Sequence, residues 1–199
     1  MTPQLILASK SPSRAQILKG AGLPFTAEAA SVDEAEVKAA LRAEGAPAAR
    51  AAEALAELKA RRVAARHPHA LVLGGDQMLA CAERWFDKPR DRADAREQIA
   101  HLAGRPHELL TALCIVQGAE RQWHHVATAR LVMRPLSSAA IDAYLDMVGD
   151  QVLASPGGYQ IEGPGIQLFA HVEGDYFGIL GMPLLPLLAY LRGRGLGLP

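Results

Sequence analysis

The segment 5-LILASKSPSRAQIL-18 decides how this chain begins to fold. Its first four residues, Leu5–Ala8, form a short apolar run that predicts a buried strand. Ser11 and Pro12 then supply a helix N-cap and a proline suited to the first helical position. A helix is therefore predicted to follow, and to end near Gly20, where glycine can adopt the left-handed conformation of a C-cap.

This strand, turn and helix bring Ser9, Ser11 and Arg14 together around a helix N-terminus. Free backbone N–H groups and the helix dipole at such a position favour a bound phosphate. The alternative is that Ser11 only caps the helix and that Arg14 is solvated.

In the rest of the chain, some segments have apolar residues at helical spacing and others have the apolar runs or alternation of strands. Residues 155–165 are rich in glycine and proline, and they predict a loop that can contact a ligand. The pattern is that of a mixed α/β protein. Helices are predicted in 36–66 (two, divided at 45–47, the second over 48–65), 91–102, 137–148 and 183–192, and strands over 70–75, 109–116, 126–133 and 166–172.

The composition limits the classes of partner. The chain has 199 residues, half of them hydrophobic, which suffices for one large α/β domain or for two small lobes that share a cleft. Its 21 basic and 21 acidic residues cancel, so no global field draws it to a nucleic-acid polymer or to a membrane surface. A polyanion would have to be bound by a local cluster of charge.

The cysteines and the N-terminus favour a soluble cytoplasmic protein. Cys81 and Cys114 have no disulfide or zinc-type spacing, so they are expected to be buried or incidental thiols. The N-terminal apolar run lacks a basic lead and a cleavage site, and no apolar stretch reaches membrane-spanning length.

Four charged side chains are candidates for chemistry on a phosphorylated ligand. Glu34 and Asp76 offer carboxylate oxygens for a magnesium ion, whereas Lys59 and Lys88 offer ammonium groups for phosphates. Taken singly, Glu34 and Lys59 are as well explained as solvated surface charges. Asp76 differs, because it follows an apolar run and Gly74–Gly75, and this predicts a carboxylate at a strand end that a ligand can approach.

Motifs along nearly the whole chain resemble, in order, those of the Maf family. Each motif is short, but so many in the right order make coincidence an inadequate explanation. The matching segments are 5–18, 31–34 (SVDE), 58–60 (LKA), 75–77 (GDQ), 87–89 (DKP), 102–111 (LAGRPHELLT), 134–137 (RPLS), 157–159 (GGY), 173–176 (EGDY) and 181–184 (GMPL).

The resemblance implies a fold and an activity. The fold is an elongated mixed α/β sheet, similar to inosine triphosphatase, in a single domain over 1–199 whose two lobes flank a nucleotide cleft. The activity is hydrolysis of a nucleoside triphosphate to a monophosphate and pyrophosphate, with a divalent cation, Mg²⁺ or Mn²⁺, as cofactor. Homodimerisation is a further expectation from the family.

The resemblance also implies roles for individual residues. Asp76 matches the catalytic acid that accepts a proton from the attacking water, and Asp76 and Glu34 match the metal-contacting positions. These roles agree with what phosphoanhydride hydrolysis requires: a carboxylate base, a metal-activated water and cationic groups for the departing pyrophosphate. The phosphate-contacting positions are matched by Ser9, Arg14, Lys59 and Lys88.

Three positions bear on the choice of nucleotide: Ser13, Gln77 and Glu162. Gln77 and Glu162 resemble the branch of the family that acts on 7-methyl-GTP, whereas the branch acting on dTTP and UTP usually has threonine and glutamine there. Methylation at N7 makes guanine cationic, and a carboxylate on its Watson–Crick edge could accept N1–H and N2–H while offsetting the charge. Ser13 replaces the bulky aromatic expected in that branch, so a dTTP/UTP-type or broad range stays open.

Two rival interpretations remain. A nucleotide-binding regulator of cell division needs no catalytic carboxylate, so the retained Asp76, Glu34, Lys59 and Lys88 argue against it. A pyrophosphatase of the inosine triphosphatase type would have a similar cleft, but the SxSPSR opening and Gly75-Asp76-Gln77 favour Maf.

Overall fold

A computed structural model describes residues 3–198, in which there are seven strands and seven α-helices. The strands are β1 (Leu5–Ala8), β2 (Thr26–Ala27), β3 (Leu71–Cys81), β4 (Arg84–Phe86), β5 (Pro106–Gln117), β6 (Glu120–Met133) and β7 (Phe169–Glu173). The helices are α1 (Pro12–Gly20), α2 (Glu34–Ala43), α3 (Ala48–Ala64), α4 (Arg92–Leu102), α5 (Ser138–Val148), α6 (Tyr176–Ile179) and α7 (Leu184–Arg192). Short 3₁₀ segments occupy Gly149–Ala154, Pro156–Gly158 and Pro164–Leu168.

The strands form a mixed sheet in the order β2-β1-β3-β5-β6-β7, with β4 paired to β3. β1 pairs in parallel with β2 and β3, whereas β3 with β4 and β6 with β7 are antiparallel. The prediction of a mixed α/β fold is confirmed.

The chain divides into two compact units. The first contains the residues up to Gln77, then Leu110–Ala127, then the residues from Asp175 onward. The second contains Met78–Leu109 and Thr128–Gly174.

The core of the first unit is built on β1 and β3, whose parallel pairing sets Leu5 opposite Leu71 and Leu7 opposite Leu73. These four leucines are fully buried, as expected for parallel strands covered on both faces. Helices α1 and α7 contribute Leu18, Leu187 and Leu191 to the same cluster. Helix α3 covers the opposite face of the sheet, where its backbone lies against Gly74. These elements carry three of the charged candidate residues: Arg14 on α1, Lys59 on α3 and Asp76 in β3.

In the second unit, α4 and α5 are tied by an ion pair between Arg96 Nε and Asp142 Oδ1 at 2.7 Å. The loop after α5 needs glycine, because Gly157 and Gly158 have φ of +78° and +71°. The loop is anchored where the Gly157 backbone N–H donates to Gln98 Oε1 at 3.1 Å. The glycine- and proline-rich loop predicted over 155–165 is confirmed as irregular backbone with short 3₁₀ turns.

Most predicted elements are confirmed. The strand over 5–8 and the six longer helices, α1 to α5 and α7, fall within two residues of their predicted bounds, and Ser11, Asp91 and Ser137 are the N-caps of α1, α4 and α5. Cys81 and Cys114 are free and buried thiols, as expected. Within residues 3–198 no helix is both long and apolar enough to span a bilayer.

The strand predicted to end at Gly75 is wrong in its length, because β3 continues to Cys81. Met78 and Leu79 are fully buried, and the strand goes on to pair antiparallel with β4. Asp76 therefore lies inside a strand and not at its end.

Gly74 and Gly75 make room for protein rather than for a ligand. A Cβ on Gly74 would lie 2.1 Å from the Ala56 carbonyl oxygen of α3, and one on Gly75 would lie 3.1 Å from Arg14 Nε. The expectation that these glycines admit a ligand to the backbone is therefore wrong.

The strand predicted over 166–172 starts late. Pro164–Leu168 forms a 3₁₀ segment in which the Ile166 N–H donates to the Gly163 carbonyl, and β7 begins only at Phe169. Proline favours such a turn at its first position, and its missing N–H cannot join a ladder. β5 and β6 are also longer than predicted, and β2, β4 and α6 are too short to have been recognised.

Candidate functional site

Lys59 is the centre of a compact charged cluster in the first unit. Its Nζ lies 2.6 Å from Asp76 Oδ1 and 2.7 Å from Glu34 Oε1. Only 11% of the Lys59 side chain is exposed, and Asp76 is buried. The interpretation of Lys59 as a solvated surface charge is therefore wrong, and the structure brings three predicted site residues together.

Three elements position this cluster. Glu34 opens α2 directly after its N-cap, Asp33, whose carboxylate accepts from the Glu36 N–H at 3.0 Å. Lys59 lies on α3, and Asp76 lies in β3. Since alternate strand residues share a face, Asp76 points to the same side as Gly74, which is the side covered by α3.

The two oxygens of Asp76 differ. Oδ1 accepts a hydrogen bond from Lys59, but Oδ2 is buried with no hydrogen-bond partner in the protein. A buried carboxylate oxygen in this condition is costly unless something else binds it, such as water or a cation.

The donor set fits a hard divalent cation. Asp76 and Glu34 are the two carboxylates that meet at Lys59. Among residues 3–198 no group of three or more His, Cys, Asp or Glu side chains is arranged for a metal. Mg²⁺ is commonly held by one or two carboxylates, with water and substrate phosphates completing its shell.

Glu34 is held as an anion. Burial raises the pKa of its carboxyl group, but the hydrogen bond and charge of Lys59, together with the charges of Lys38 and Arg14, outweigh burial and leave that pKa below its ordinary value. A carboxylate ionised at neutral pH is the form that a cation requires.

Arg14 is close enough to Asp76 and Glu34 for their charges to act on it, and its guanidinium is buried. Its Nε donates to the Gly181 carbonyl at 2.9 Å and its Nη1 to Ser9 Oγ at 3.2 Å. Burial lowers the pKa of Arg14, while the charges of Asp76 and Glu34 raise it, and a guanidinium stays protonated throughout the physiological range. The alternative of a solvated Arg14 is wrong.

Ser11 caps α1, as both interpretations of the opening required: its Oγ accepts from the Arg14 N–H at 3.4 Å. Ser9 Oγ also accepts from the Ser11 N–H at 3.1 Å. Ser13, a predicted substrate contact, is half-buried in the first turn of α1.

Gln77 points to the opposite face of β3 from Asp76. Its Nε2 donates to Thr111 Oγ1 at 2.8 Å and to the Ile179 carbonyl at 2.9 Å, with the Gly178 carbonyl at 3.3 Å. Thr111 was not recognised as a candidate from the sequence. The available signal was its place at the end of the motif over 102–111.

Lys88 and Glu162 belong to the second unit, where both are exposed. Their roles stay predictions. Tyr159 of the same unit is only 4% exposed, and its hydroxyl lies 2.8 Å from His107 Nε2 and its ring edge-on to Phe169. Tyr159 is therefore a packing residue.

The protein is thus a mixed α/β protein whose first unit brings two carboxylates and an ammonium into contact near a buried guanidinium. The family described as Maf-like protein matches residues 4–194. The chain therefore belongs to the Maf family.

Curated relatives cover almost the whole chain. It is 50% identical over 195 residues to a protein of Rhodospirillum rubrum named nucleoside triphosphate pyrophosphatase, covering 98% of this chain and 96% of that one. It is 52% identical over 190 residues to a protein of the same name from Paramagnetospirillum magneticum, covering 96% and 98%. It is 50% identical over 195 residues to a 7-methyl-GTP pyrophosphatase of Rhizobium meliloti, covering 98% of each.

Proposed function

We propose that this chain cleaves nucleoside triphosphates between the α and β phosphates, releasing a nucleoside monophosphate and pyrophosphate. The chain is a nucleoside triphosphate pyrophosphatase, a hydrolase of phosphoanhydride bonds. The observation that carries the proposal is the contact of Lys59 with both Asp76 and Glu34, beside the buried Arg14, with one buried oxygen of Asp76 that has no partner in the protein. The names of its relatives support the same activity.

In this reaction Asp76 accepts the proton of the attacking water, the water oxygen bonds to phosphorus, and the α–β anhydride bond breaks. The electron pair of that bond leaves with pyrophosphate. Arg14 and Lys59 stabilise the charge that builds on the phosphate oxygens, and Lys88 is assigned the same task on the leaving group. Ser9 completes the phosphate-binding set at the start of α1.

Asp76 and Glu34 would hold a divalent cation, Mg²⁺ or Mn²⁺. The cation would polarise phosphoryl oxygens and lower the pKa of a bound water. Lys59 contacts both carboxylates and so keeps them together at short distance.

The substrate we propose is 7-methyl-GTP. Several relatives at about half identity are named for that activity. Glu162 is the carboxylate assigned to the cationic guanine edge, and Gln77 is assigned as a second acceptor. Because other relatives carry only the general name, dTTP, UTP or a broad range is the second candidate.

The test is a phosphate-release assay coupled to added inorganic pyrophosphatase, run over 7-methyl-GTP, GTP, dTTP, UTP and ITP with Mg²⁺ and with Mn²⁺. The arm with EDTA is read as release of nucleoside monophosphate by chromatography, because the coupling enzyme itself needs a divalent cation. We expect release that requires the coupling enzyme, is abolished by EDTA and is fastest for 7-methyl-GTP. No release from any triphosphate would contradict the activity, and undiminished release in EDTA would contradict the cation.

A further inference from the structure

Arg14 is held by a segment of chain that two other side chains fix in place. The segment runs from Gly178, near the end of the short helix α6, to Gly181, whose carbonyl accepts the Arg14 Nε hydrogen at 2.9 Å. Gly181 has φ of +90°, a backbone conformation that favours glycine. A Cβ at this position would lie in ordinary van der Waals contact with Arg14 Nη2, at 3.6 Å. The position of this carbonyl therefore decides the direction of the guanidinium.

The other end of the segment is fixed by Gln77 and Thr111, which we call the Gln77–Thr111 pair. Thr111 Oγ1 donates to the Gly178 carbonyl at 2.9 Å, and Gln77 Nε2 donates to the Ile179 carbonyl at 2.9 Å. The last carbonyls of a helix have no partner within the helix, and side chains commonly satisfy them. Gln77 serves that purpose for the Ile179 carbonyl, while the Gly178 carbonyl accepts both from Thr111 and from the Gly181 N–H at 3.0 Å.

The pair admits only one arrangement of donors. Thr111 donates its single hydroxyl hydrogen to the Gly178 carbonyl, so toward Gln77 its oxygen can only accept a hydrogen bond. It accepts that hydrogen bond from Gln77 Nε2 at 2.8 Å. A flipped Gln77 amide would set its oxygen against two carbonyls and a hydroxyl oxygen. The amide orientation is therefore determined, and the pair acts as one unit.

Thr111 does not touch a ligand. It is 1% exposed on β5, and its hydroxyl lies among protein groups. Any effect it has on the reaction must pass through the segment that it holds.

We propose that Thr111 and Gln77 are positioning residues for Arg14, acting through the carbonyls of Gly178, Ile179 and Gly181. They set the guanidinium for the phosphate that the site binds, and the proposal rests on the function proposed above. Loss of the Thr111 hydroxyl frees the segment, turns the Gly181 carbonyl and misdirects Arg14.

The experiment is a double-mutant cycle read by calorimetric binding of inorganic pyrophosphate with Mg²⁺, and by kcat and KM for a triphosphate substrate. Thr111→Val keeps the volume and removes the hydroxyl, whereas Thr111→Ser keeps the hydroxyl. Arg14→Lys removes the guanidinium that the segment holds, and Thr128→Val, at an exposed site on β6, is the matched control.

We expect Thr111→Val to weaken pyrophosphate binding roughly tenfold, within the hundredfold that a misplacement of about 1 Å can cause. Thr111→Ser should restore most of the binding, and Thr128→Val should change nothing. In the Arg14→Lys background, Thr111→Val should add no further loss, because the two changes remove one interaction.

Wild-type binding in Thr111→Val, or the same tenfold loss in the presence and absence of Arg14, would overturn the proposal. If Thr111→Val does not fold, Gln77→Met takes its place in the cycle. A wild-type protein that binds pyrophosphate but releases none from any triphosphate would contradict the proposed function, while the binding cycle would still decide the role of Thr111.

Discussion

At the scale of single residues, the chemistry turns on the two oxygens of Asp76. Oδ1 is neutralised by Lys59, while Oδ2 is buried and has no partner in the protein. An unsatisfied buried acceptor is destabilising by about 1–3 kcal/mol, more when it is charged. A residue kept in that condition is better suited to binding and proton transfer than to stability.

Asp76→Asn should lower kcat by roughly a hundredfold or more, because an amide nearly preserves the volume but cannot act as base or anionic ligand. The fold should remain intact, as judged by circular dichroism and thermal melting. Asp142→Asn, which removes a carboxylate from a surface ion pair in the second unit, is the control and should keep full turnover. Near-normal activity of Asp76→Asn would remove the assigned role.

Under the proposed role of Asp76 and Glu34 as cation ligands, Lys59 and the cation would compete for the same two carboxylates. Lys59→Met should therefore tighten Mn²⁺ binding in the absence of nucleotide, by roughly tenfold or about 1.4 kcal/mol, while turnover falls. Electron paramagnetic resonance titration measures the free Mn²⁺ directly, and Lys19→Met on α1 removes the same charge from an exposed site. Weaker Mn²⁺ binding in Lys59→Met would show that Asp76 and Glu34 do not hold the cation.

At the level of secondary structure, the helix bounds could be predicted from periodicity and capping residues, whereas the strand lengths that depend on pairing could not. The helices were predictable because their N-caps and glycine or proline boundaries are local signals. The extent of β3 was not, since its continuation past Asp76 depends on antiparallel pairing with β4. Tertiary pairing of this kind leaves no mark within the strand itself.

The candidate site shows the same division. Asp76, Glu34, Lys59 and Arg14 were predicted from residue type and motif, and the structure brings them together. The link from Gln77 to Thr111 joins positions 34 residues apart, and such a contact cannot be inferred from one sequence. The occupied space at Gly74 likewise follows from the packing of α3.

The buried His107 on β5 should make the free energy of unfolding depend on pH. Burial lowers its pKa to about 4 from an ordinary value of 6.5, against a weaker opposing hydrogen bond with the Arg105 backbone. Above pH 6.5 the imidazole is neutral in both states. As pH falls from 6.5 to about 4, only the unfolded chain takes up the proton, so the free energy of unfolding falls.

At 1.36 kcal/mol per pH unit, this loss amounts to about 2 kcal/mol between pH 6.5 and pH 5. His107→Gln abolishes it, so the difference in unfolding free energy between wild type and His107→Gln should shrink by about that amount from pH 7 to pH 5 in urea titrations. His171→Gln changes an exposed histidine on β7 and should track wild type. A constant difference between wild type and His107→Gln would contradict the lowered pKa.

At the scale of the whole molecule, the residues proposed to act on one substrate are spread through the chain from Ser9 to Glu162. In the first unit, Lys59 contacts Asp76 and Glu34, while Lys88 and Glu162 are exposed residues of the second unit. The proposed role of Glu162 in substrate choice is therefore tested separately from this cluster.

Glu162→Gln keeps the size of the side chain but removes its charge and exchanges an acceptor for a donor. The cationic guanine of 7-methyl-GTP should lose one charge-assisted contact, about 1.5–3 kcal/mol, whereas UTP should lose little. The measurement is the ratio of kcat/KM for 7-methyl-GTP and UTP in wild type and variant at one Mg²⁺ concentration. An unchanged ratio, or a wild type that prefers UTP, would show that Glu162 does not recognise the base.

Cleavage between the α and β phosphates can be distinguished from cleavage between the β and γ phosphates by phosphorus NMR of the reaction products. The wild-type protein incubated with 7-methyl-GTP and Mg²⁺, and without any coupling enzyme, should yield the nucleoside monophosphate and pyrophosphate in equal amounts and no orthophosphate. Nucleoside diphosphate with orthophosphate would place the cleavage at the β–γ bond and contradict the account.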